Sequence, residues 1–528
     1  MVAGSAAQAA VPNEKAPVGG QFTRNLKGEP PTLHPVMSTD VYASDVQNYV
    51  MDTLASRDPQ TFEYKPRMAE KWDVSKDGKV YTFILRKDLT FHDGKPVTAE
   101  DVKFSFDAIF EKAYGAAEKQ VYYEGIEKVE VVDAQTVKFT LKNTYFQNFI
   151  AMAELTILPK HVYGDVDKSK KMTRELVGSG PYRLDRFDRG QRIVLKRYDK
   201  WYGFNTPEWK GSNNFETVVL RFVKEDAVSL EMAKKGDLDL EPLTPEFFEK
   251  KATGEPWGKS VFKFKVENSA PKGFGFVGWN LRNPLFQDKN TRVALAHLMN
   301  RDEMNKKFRY GYSLPATGPV YQQSEYASPK TKAIPFDVKK AQELLAKAGW
   351  KDSNKDGILD KTVDGKVQNF RFSLIHANKD AEKYWTLYKE DMKKAGVDME
   401  IKYLEWNSFL KMLDDGNFEA VALAWSGSAD WDPKQIWHSA SAVPGGSNFI
   451  YYKNPKVDEL IDKARMEPDK KKRIGMLRNV YEMIADDAPY AFLFNDKFAF
   501  YANSNKVEKP GDTFKYEVGH SYWWTKQK

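Results

Sequence analysis

The sequence has 528 residues, which at about 150 residues per domain predicts three to four domains. This length excludes a small scaffold stabilised by disulfides or a bound metal. Lys and Arg total 81 against 74 Asp and Glu, and this thin excess of +7, with the two signs interspersed, argues against a nucleic-acid-binding protein. The absence of cysteine excludes disulfides, thiolate metal sites and cysteine nucleophiles. The sequence contains no run of about 18 consecutive apolar residues, so it predicts no membrane-spanning helix.

The chain starts with a small-residue segment, 1–21, that lacks the basic start and apolar stretch of a signal peptide, and we expect it to be flexible. Beyond it, alternating apolar residues predict strands at Lys79–Arg86, Thr136–Leu141, Arg192–Arg197, Glu216–Val223, Val261–Val266 and Asn369–Ile375. The nearly continuous apolar run Ala420–Trp425 predicts a buried central strand.

Capping residues mark the predicted helices. Thr98 and Asp101 form a capping-box pattern, Asp337 can cap a helix that ends at Gly349, and Pro455 follows Asn454 at the start of another. A last amphipathic helix runs from Asp469 until a proline stops it, and its basic start, Lys470–Arg473, predicts a solvated face. Strands and helices in this mixture predict an α/β chain with mixed sheets.

No catalytic motif stands out, and the seven histidines lack metal-ligand spacing. Asp352, Asn354, Asp356 and Asp360 match the first nine positions of a calcium loop, but Val363 stands where the bidentate acid belongs. We therefore favour an Asx-rich turn over a weak calcium site. We expect no enzyme activity and no cofactor.

The loop after the buried strand has the strongest functional pattern. It carries small residues, two acids and two tryptophans, Trp431 and Trp437. With Trp425 at the end of the strand, three tryptophans fall within thirteen residues. Ligands bind at the carboxyl ends of strands in α/β folds. An aromatic-walled pocket and a loop packed by tryptophans for stability explain this composition equally well.

Several segments in shared order resemble the family 5 extracytoplasmic solute-binding proteins, the oligopeptide and dipeptide receptors of ABC importers. The resemblance is carried by Pro31–Pro35 (PTLHP), Met68–Trp72 (MAEKW), Phe91–Ser105 (FHDGKPVTAEDVKFS), Ile157–His161 (ILPKH), Gly178–Tyr182 (GSGPY), Asn280–Pro284 (NLRNP), Ala348–Trp350 (AGW) and Trp425–Ser439. These segments span nearly all of the chain from Phe22 onward.

The resemblance implies a two-lobed periplasmic-binding-protein fold, large and type II-like, with an additional subdomain in the first lobe, closing over ligand like a hinged trap. Transferred to this chain, lobe I covers 22–64, 177–272 and 493–528, the extra subdomain covers 65–176, and lobe II covers 273–492.

The resemblance also implies the ligand site. Trp425 matches a family tryptophan, with Ala424 and Ser426 as backbone partners, while Ser428 or Ala429 stands where peptide receptors have an aspartate that binds the peptide ammonium. Asp430 is the nearest acid and Asp432 the second. The full set of predicted ligand-binding residues is Trp425, Ala424, Ser426, Gly427, Ser428, Asp430, Trp431, Asp432, Trp437, Ser38, Thr39, Asp40, Val41 and Tyr42.

The function implied is capture of peptides between two lobes and delivery to the permease subunits of an ABC importer. The alternative is the same receptor fold holding a non-peptide solute: an oligosaccharide, opine, metal chelate or haem. We expect a periplasmic or extracytoplasmic monomer that binds no nucleic acid and meets the membrane only through the permease or a lipid anchor in its precursor.

Overall fold

In the computed structural model, the described residues are 9–38, 40–120, 122–363 and 365–526. The chain divides into two compact units, which are called unit 1 (Met1–Asn268 with Ala499–Lys528) and unit 2 (Ser269–Phe498). The predicted lobe II, 273–492, falls within unit 2. The lobe and subdomain bounds stay predictions.

The strands of the described chain follow in order. They are β1 (Gln21–Asn25), β2 (Ala55–Arg57), β3 (Tyr64–Pro66), β4 (Ala69–Val74), β5 (Val80–Leu85), β6 (Ile126–Val131), β7 (Thr136–Leu141), β8 (Tyr182–Asp188), β9 (Arg192–Arg197), β10 (Thr217–Arg221), β11 (Leu240–Leu243), β12 (Val261–Val266), β13 (Phe274–Trp279), β14 (Ser313–Pro315), β15 (Asp360–Val363), β16 (Lys366–Asn369), β17 (Arg371–His376), β18 (Asp398–Tyr403), β19 (Ala420–Trp425), β20 (Tyr490–Asp496), β21 (Ala499–Ser504), β22 (Val507–Glu508) and β23 (Trp524–Thr525).

The α-helices are listed in the same way. They are α1 (Val41–Val50), α2 (Ala99–Phe110), α3 (Ala117–Gln120), α4 (Gln147–Ala153), α5 (Lys160–Tyr163), α6 (Val166–Ser169), α7 (Asp226–Lys235), α8 (Lys289–His297), α9 (Arg301–Phe308), α10 (Val338–Lys347), α11 (Glu382–Lys393), α12 (Trp406–Asp414), α13 (Lys434–Trp437), α14 (Pro455–Met466) and α15 (Lys470–Asp487). Within the described ranges, no helix has the length and apolar character needed to cross a membrane.

Unit 1 is built on a sheet that, among the described residues, has seven strands in the order β12-β21-β11-β1-β10-β9-β8. Side chains alternate between the two faces of a sheet. One face carries Phe22, Val218 and Leu220, which belong to the apolar core, and the opposite face carries Thr23 and Arg221. A separate four-stranded sheet, β4-β5-β7-β6, packs its own core against α2.

Unit 2 is built on the six-stranded sheet β14-β20-β13-β19-β17-β18 of the described chain. Apolar clusters lie on both of its faces, one around Trp279 and Leu374 and the other around Phe276 and Val421. Burial on both faces explains why the run from Ala420 is apolar almost throughout.

Most of the strands and helix caps predicted from local sequence are present in the structure. The predicted strands correspond to β5, β7, β9, β10, β12, β17 and β19, and Asp337 caps α10 by accepting from the Lys340 amide at 2.9 Å. The carboxylate of Asp101 accepts from the Thr98 amide at 2.9 Å, as the reciprocal half of a capping box does. One expectation needs correction: Arg473, in the basic start of α15, is buried and donates to the Glu467 carbonyl at 2.8 Å.

Candidate functional site

Three neighbouring strands of unit 2 end at the same edge of its sheet. β17 runs parallel to β18 from Arg371 to His376 and parallel to β19 at Leu374 and Ile375. Because parallel strands share one carboxyl edge, the loops that follow His376, Tyr403 and Trp425 emerge side by side.

The end of β19 keeps one backbone edge open. Its pairing with β13 continues to Trp425, whereas its pairing with β17 stops at Val421. In the part of the chain that the structure describes, no strand pairs with residues 422–425 on that side. Alternate amides and carbonyls there are available to an added extended chain.

Trp425 is a fixed, half-buried wall at the end of this open edge. Its ring stacks on Phe449 with 5.7 Å between centroids, and on Phe276 with 6.3 Å. Its Nε1 donates to the hydroxyl of Tyr490 at 3.3 Å, while burial raises the pKa of that hydroxyl. The neighbouring Ala424 is exposed.

The loop after Trp425 lies tightly against the segment that leads into β13. A Cβ on Gly427 would collide with the backbone of Lys272, and a Cβ on Gly273 would collide with the Trp425 carbonyl. Glycine is needed at Gly427 and Gly273 because two backbones approach closely there. Ser426 and Ser428 are exposed, so this loop presents backbone and small side chains to solvent.

The two acids of the loop differ in their surroundings. Asp432 accepts from Arg465 Nε at 2.9 Å and from the Lys434 amide at 3.1 Å, with 11 % of its side chain exposed. These contacts hold the Asp432 carboxylate within unit 2, and its role in ligand binding stays a prediction. Asp430 is half-buried. Burial raises the pKa of Tyr326, the nearby Asp430 carboxylate adds to this rise, and Arg473 acts in the opposite direction.

Trp431 and Trp437 lie in the core of unit 2. Trp437 has no exposed surface and packs against Tyr490 with 4.7 Å between centroids, and Trp431 is 5 % exposed beside Tyr481. The packing interpretation therefore holds for these two tryptophans, and only Trp425 among the three has the partial exposure that a pocket wall requires. An aromatic pocket wall stays a prediction, and the structure supports it at Trp425 alone among these three residues.

The neighbouring strand ends contribute residues that the sequence prediction missed. Tyr403 donates to Glu405 at 3.0 Å, the ammonium of Lys379 lies 4.7 Å from the Tyr403 ring centroid, and Trp406 is 53 % exposed. The available signal was positional, since each residue lies at or just after the end of a strand that runs parallel to β19.

The predicted residues of unit 1 lie at the start of α1. Ser38 is buried and accepts from Gln47 Nε2 at 2.9 Å, and Asp40 caps the helix by accepting from the Ala43 amide at 2.9 Å. Val41 is exposed and Tyr42 is half-buried. Thr39 lies outside the described residues.

The calcium-like turn is filled by its own backbone amides. Asp352 accepts from the amides of Asp356 and Gly357 at 3.1 and 3.0 Å, and Asp360 accepts from the Ser353 amide at 2.7 Å. Among the described residues, no group of three or more His, Asp or Glu side chains is arranged to hold a metal ion.

Comparison with known proteins assigns the family. Residues 63–447 match the family model of the middle region of bacterial extracellular solute-binding proteins, family 5. The oligopeptide-binding protein AppA of Bacillus subtilis is 30 % identical over 489 residues, covering 90 % of this chain and 86 % of AppA.

Solved structures agree with this assignment. AppA of Bacillus subtilis in complex with a nonapeptide superposes with a TM-score of 0.77 at 27 % identity, covering 97 % of this chain and all of that one (100 %). NikA of Brucella suis in complex with Fe(III)-EDTA gives a TM-score of 0.81 at 21 % identity, covering 96 % of this chain and 100 % of NikA, and shows the same fold. The chain belongs to the bacterial extracellular solute-binding proteins of family 5.

Proposed function

We propose that this protein captures peptides outside the cytoplasmic membrane and delivers them to the permease of an ABC importer, without catalysing a reaction on them. The observation that carries the proposal is the open backbone edge of β19 at residues 422–425, next to the fixed ring of Trp425. Main-chain pairing at such an edge binds extended peptides of any sequence.

The surroundings of this edge suit a receptor of broad specificity. Ala424, Ser426 and Ser428 are small and exposed, so they leave space for ligand side chains and for bridging water. The similarity to AppA, whose solved structure holds a nonapeptide, supports a peptide rather than a single amino acid.

A second candidate ligand is a metal chelate, because NikA holds Fe(III)-EDTA in the same fold. The exposed ring of Trp406 and the ammonium of Lys379 beside Tyr403 would suit a flat or anionic chelate. A chelate would leave the open backbone edge of β19 unused, whereas a peptide would pair with it.

Native mass spectrometry of the purified full chain, followed by denaturing release of whatever copurified, tests the proposal. A ladder of peptides of similar length is expected. A single chelate, sugar or haem mass would keep the receptor fold and overturn the peptide.

Backbone pairing is tested separately by titrating a synthetic peptide against versions N-methylated at alternate amides. N-methylation removes a donor, so we expect at least about tenfold weaker binding in one of the two alternate series, and little change in the other. Equal affinities for all versions would contradict strand addition at β19.

A further inference from the structure

Unit 1 contains a cavity of about 890 Å³ that the peptide proposal does not use. It lies over the polar face of the seven-stranded sheet, on the side away from Phe22 and Leu220. Its charged lining residues are Arg192, Arg221, Asp237, Asp239, Lys506 and Lys526.

The lining is predominantly cationic. Four cations and two acids line it, and one of these acids, Asp239, accepts from the Thr23 amide at 2.8 Å and from the Ser504 hydroxyl at 2.6 Å. Lys526 also lies 3.6 Å from Glu508, outside the lining. Lys506 donates to the Gly236 carbonyl at 2.6 Å and so is held at the wall. A site of this charge attracts anions.

The floor of the cavity holds two arginines in direct cross-strand register. Arg221 of β10 pairs with Arg192 of β9, so both side chains stand on the same face. Like charges in this position destabilise a sheet. Arrangements that destabilise the fold locally are expected mainly at functional sites.

A neighbouring acid compensates the charge of Arg192 but not that of Arg221. Asp188 is the register partner of Arg192, and its two oxygens accept from Arg192 and Arg186 at 2.9 and 3.1 Å. On the other side Arg221 faces Asn25, whose amide nitrogen donates to the Val223 carbonyl. Within the described part of the chain, Arg221 has no ion pair and no side-chain hydrogen bond.

We propose that this cavity is a second ligand site, which binds a phosphate ester with its phosphate on Arg221 and Arg192. Guanidinium groups bind phosphate oxygens in a bidentate fork, and two of them side by side are relieved of their mutual repulsion by a doubly charged anion. The volume exceeds what an inorganic ion needs and falls in the range of sites for organic ligands.

The ester reaches the cavity either as a free soluble compound or as a phospholipid headgroup. Asp237 at the rim is exposed and can pair with a cationic or hydroxyl group on the organic part. Both compounds present the same phosphate group to the arginines, and the experiment below distinguishes between them.

The test is calorimetric titration of the full chain with inorganic pyrophosphate, alongside cosedimentation with vesicles of about equal parts phosphatidylglycerol and phosphatidylcholine. We expect Arg221→Gln to weaken binding at least about tenfold, since it removes a charged bidentate contact. Arg189→Gln, in the exposed turn between β8 and β9, removes the same charge outside the cavity and is expected to change binding by less than about twofold.

Arg221-dependent binding of pyrophosphate alone indicates a free ester, and Arg221-dependent binding of the vesicles indicates a headgroup. Equal effects of Arg221→Gln and Arg189→Gln, or no binding of either probe, would overturn the site. The melting temperature of Arg221→Gln in phosphate-free buffer is expected to equal or exceed that of the unsubstituted chain, because a repulsion is removed. A clear decrease would make Arg221 structural and would also overturn the proposal.

Discussion

Asp430 and Asp432 are two residues apart in one loop, yet their contacts give them different roles. Asp432 is tied to Arg465 and to the first turn of α13, so its charge is used inside unit 2. Asp430 is half-buried, and its carboxylate adds to the rise in the pKa of Tyr326 that burial causes. A carboxylate at this depth can still bind a ligand ammonium.

Asp430→Asn is therefore expected to weaken a peptide with a free amino terminus by about 1.5–3 kcal/mol, roughly ten- to a hundredfold, because a charge-assisted contact is lost. The N-acetylated peptide should be nearly unaffected. Isothermal titration of both peptides measures this, with Asp414→Asn at the surface as the control. Equal losses for the two peptides would remove Asp430 from ammonium binding.

The tryptophans of this loop provide a second contrast. Trp437→Ala should cost about 3–5 kcal/mol of unfolding free energy, because Trp437 is fully buried against Tyr490. Trp425→Ala should cost less stability but most of the peptide affinity, since its ring is half-buried at the open edge of β19. Denaturant unfolding and peptide titration of both variants separate the two effects. A Trp437→Ala protein with full stability and no affinity would contradict this division.

At the scale of the element, strands were predictable where the signal is local. β7, β9, β12 and β19 begin and end at the predicted residues, because side-chain alternation or a continuous apolar run is itself the physical cause of the strand. The site was less predictable. α13 has four residues, too few for a helical period to predict that Trp437 turns inward. The cluster around Tyr403 depends on strand order, which local sequence does not encode.

The glycine contact behind the Trp425 loop yields an element-scale prediction. Gly427→Ala places a methyl group against the backbone of Lys272, so the loop must move away and peptide affinity should fall about tenfold or more. Gly475→Ala is the matched control, because Gly475 lies in α15 with open space around its Cβ position and alanine favours a helix. Peptide titration compares them, and unchanged affinity in Gly427→Ala would show that the loop position does not matter.

The turn at Asp352 gives another element-scale prediction. Its carboxylate oxygens already accept from the Asp356 and Gly357 amides, which stabilises the turn without a cation. We expect the melting temperature to be the same in calcium and in chelator, as measured by differential scanning fluorimetry. A rise with calcium that Asp352→Asn abolishes would establish a calcium site instead.

At the scale of the whole molecule, the chain leaves unit 1 after Asn268 and returns to it at Ala499. The returning strand β21 lies between β11 and β12, so the seven-stranded sheet is complete only when the last segment of the chain is in place. Unit 1 therefore depends on tertiary contacts between distant segments, among them those of His520 with Tyr49 at 3.0 Å.

Of the histidines whose pKa is lowered, three lie in unit 1 and one, His376, lies in unit 2. Burial lowers the pKa of His520 to about 3, and it lowers the pKa values of His34 and His92 to about 4. A histidine with a lowered folded pKa binds a proton in the unfolded chain first, at its ordinary value of about 6.5. Its contribution is present above that pH and is lost as the pH falls toward the folded pKa.

Unit 1 is accordingly expected to be the acid-sensitive part of the molecule, with His520 alone costing about 2 kcal/mol of unfolding free energy between about pH 7.5 and pH 5. Denaturant unfolding at both pH values measures the loss. His520→Gln should reduce the difference between the two pH values by about that amount, whatever its effect on stability at neutral pH. His297→Gln in unit 2, where His297 bonds to the Pro335 carbonyl, serves as the control and should leave the difference nearly unchanged. An undiminished pH difference in His520→Gln would show that the protonation of His520 does not drive acid unfolding.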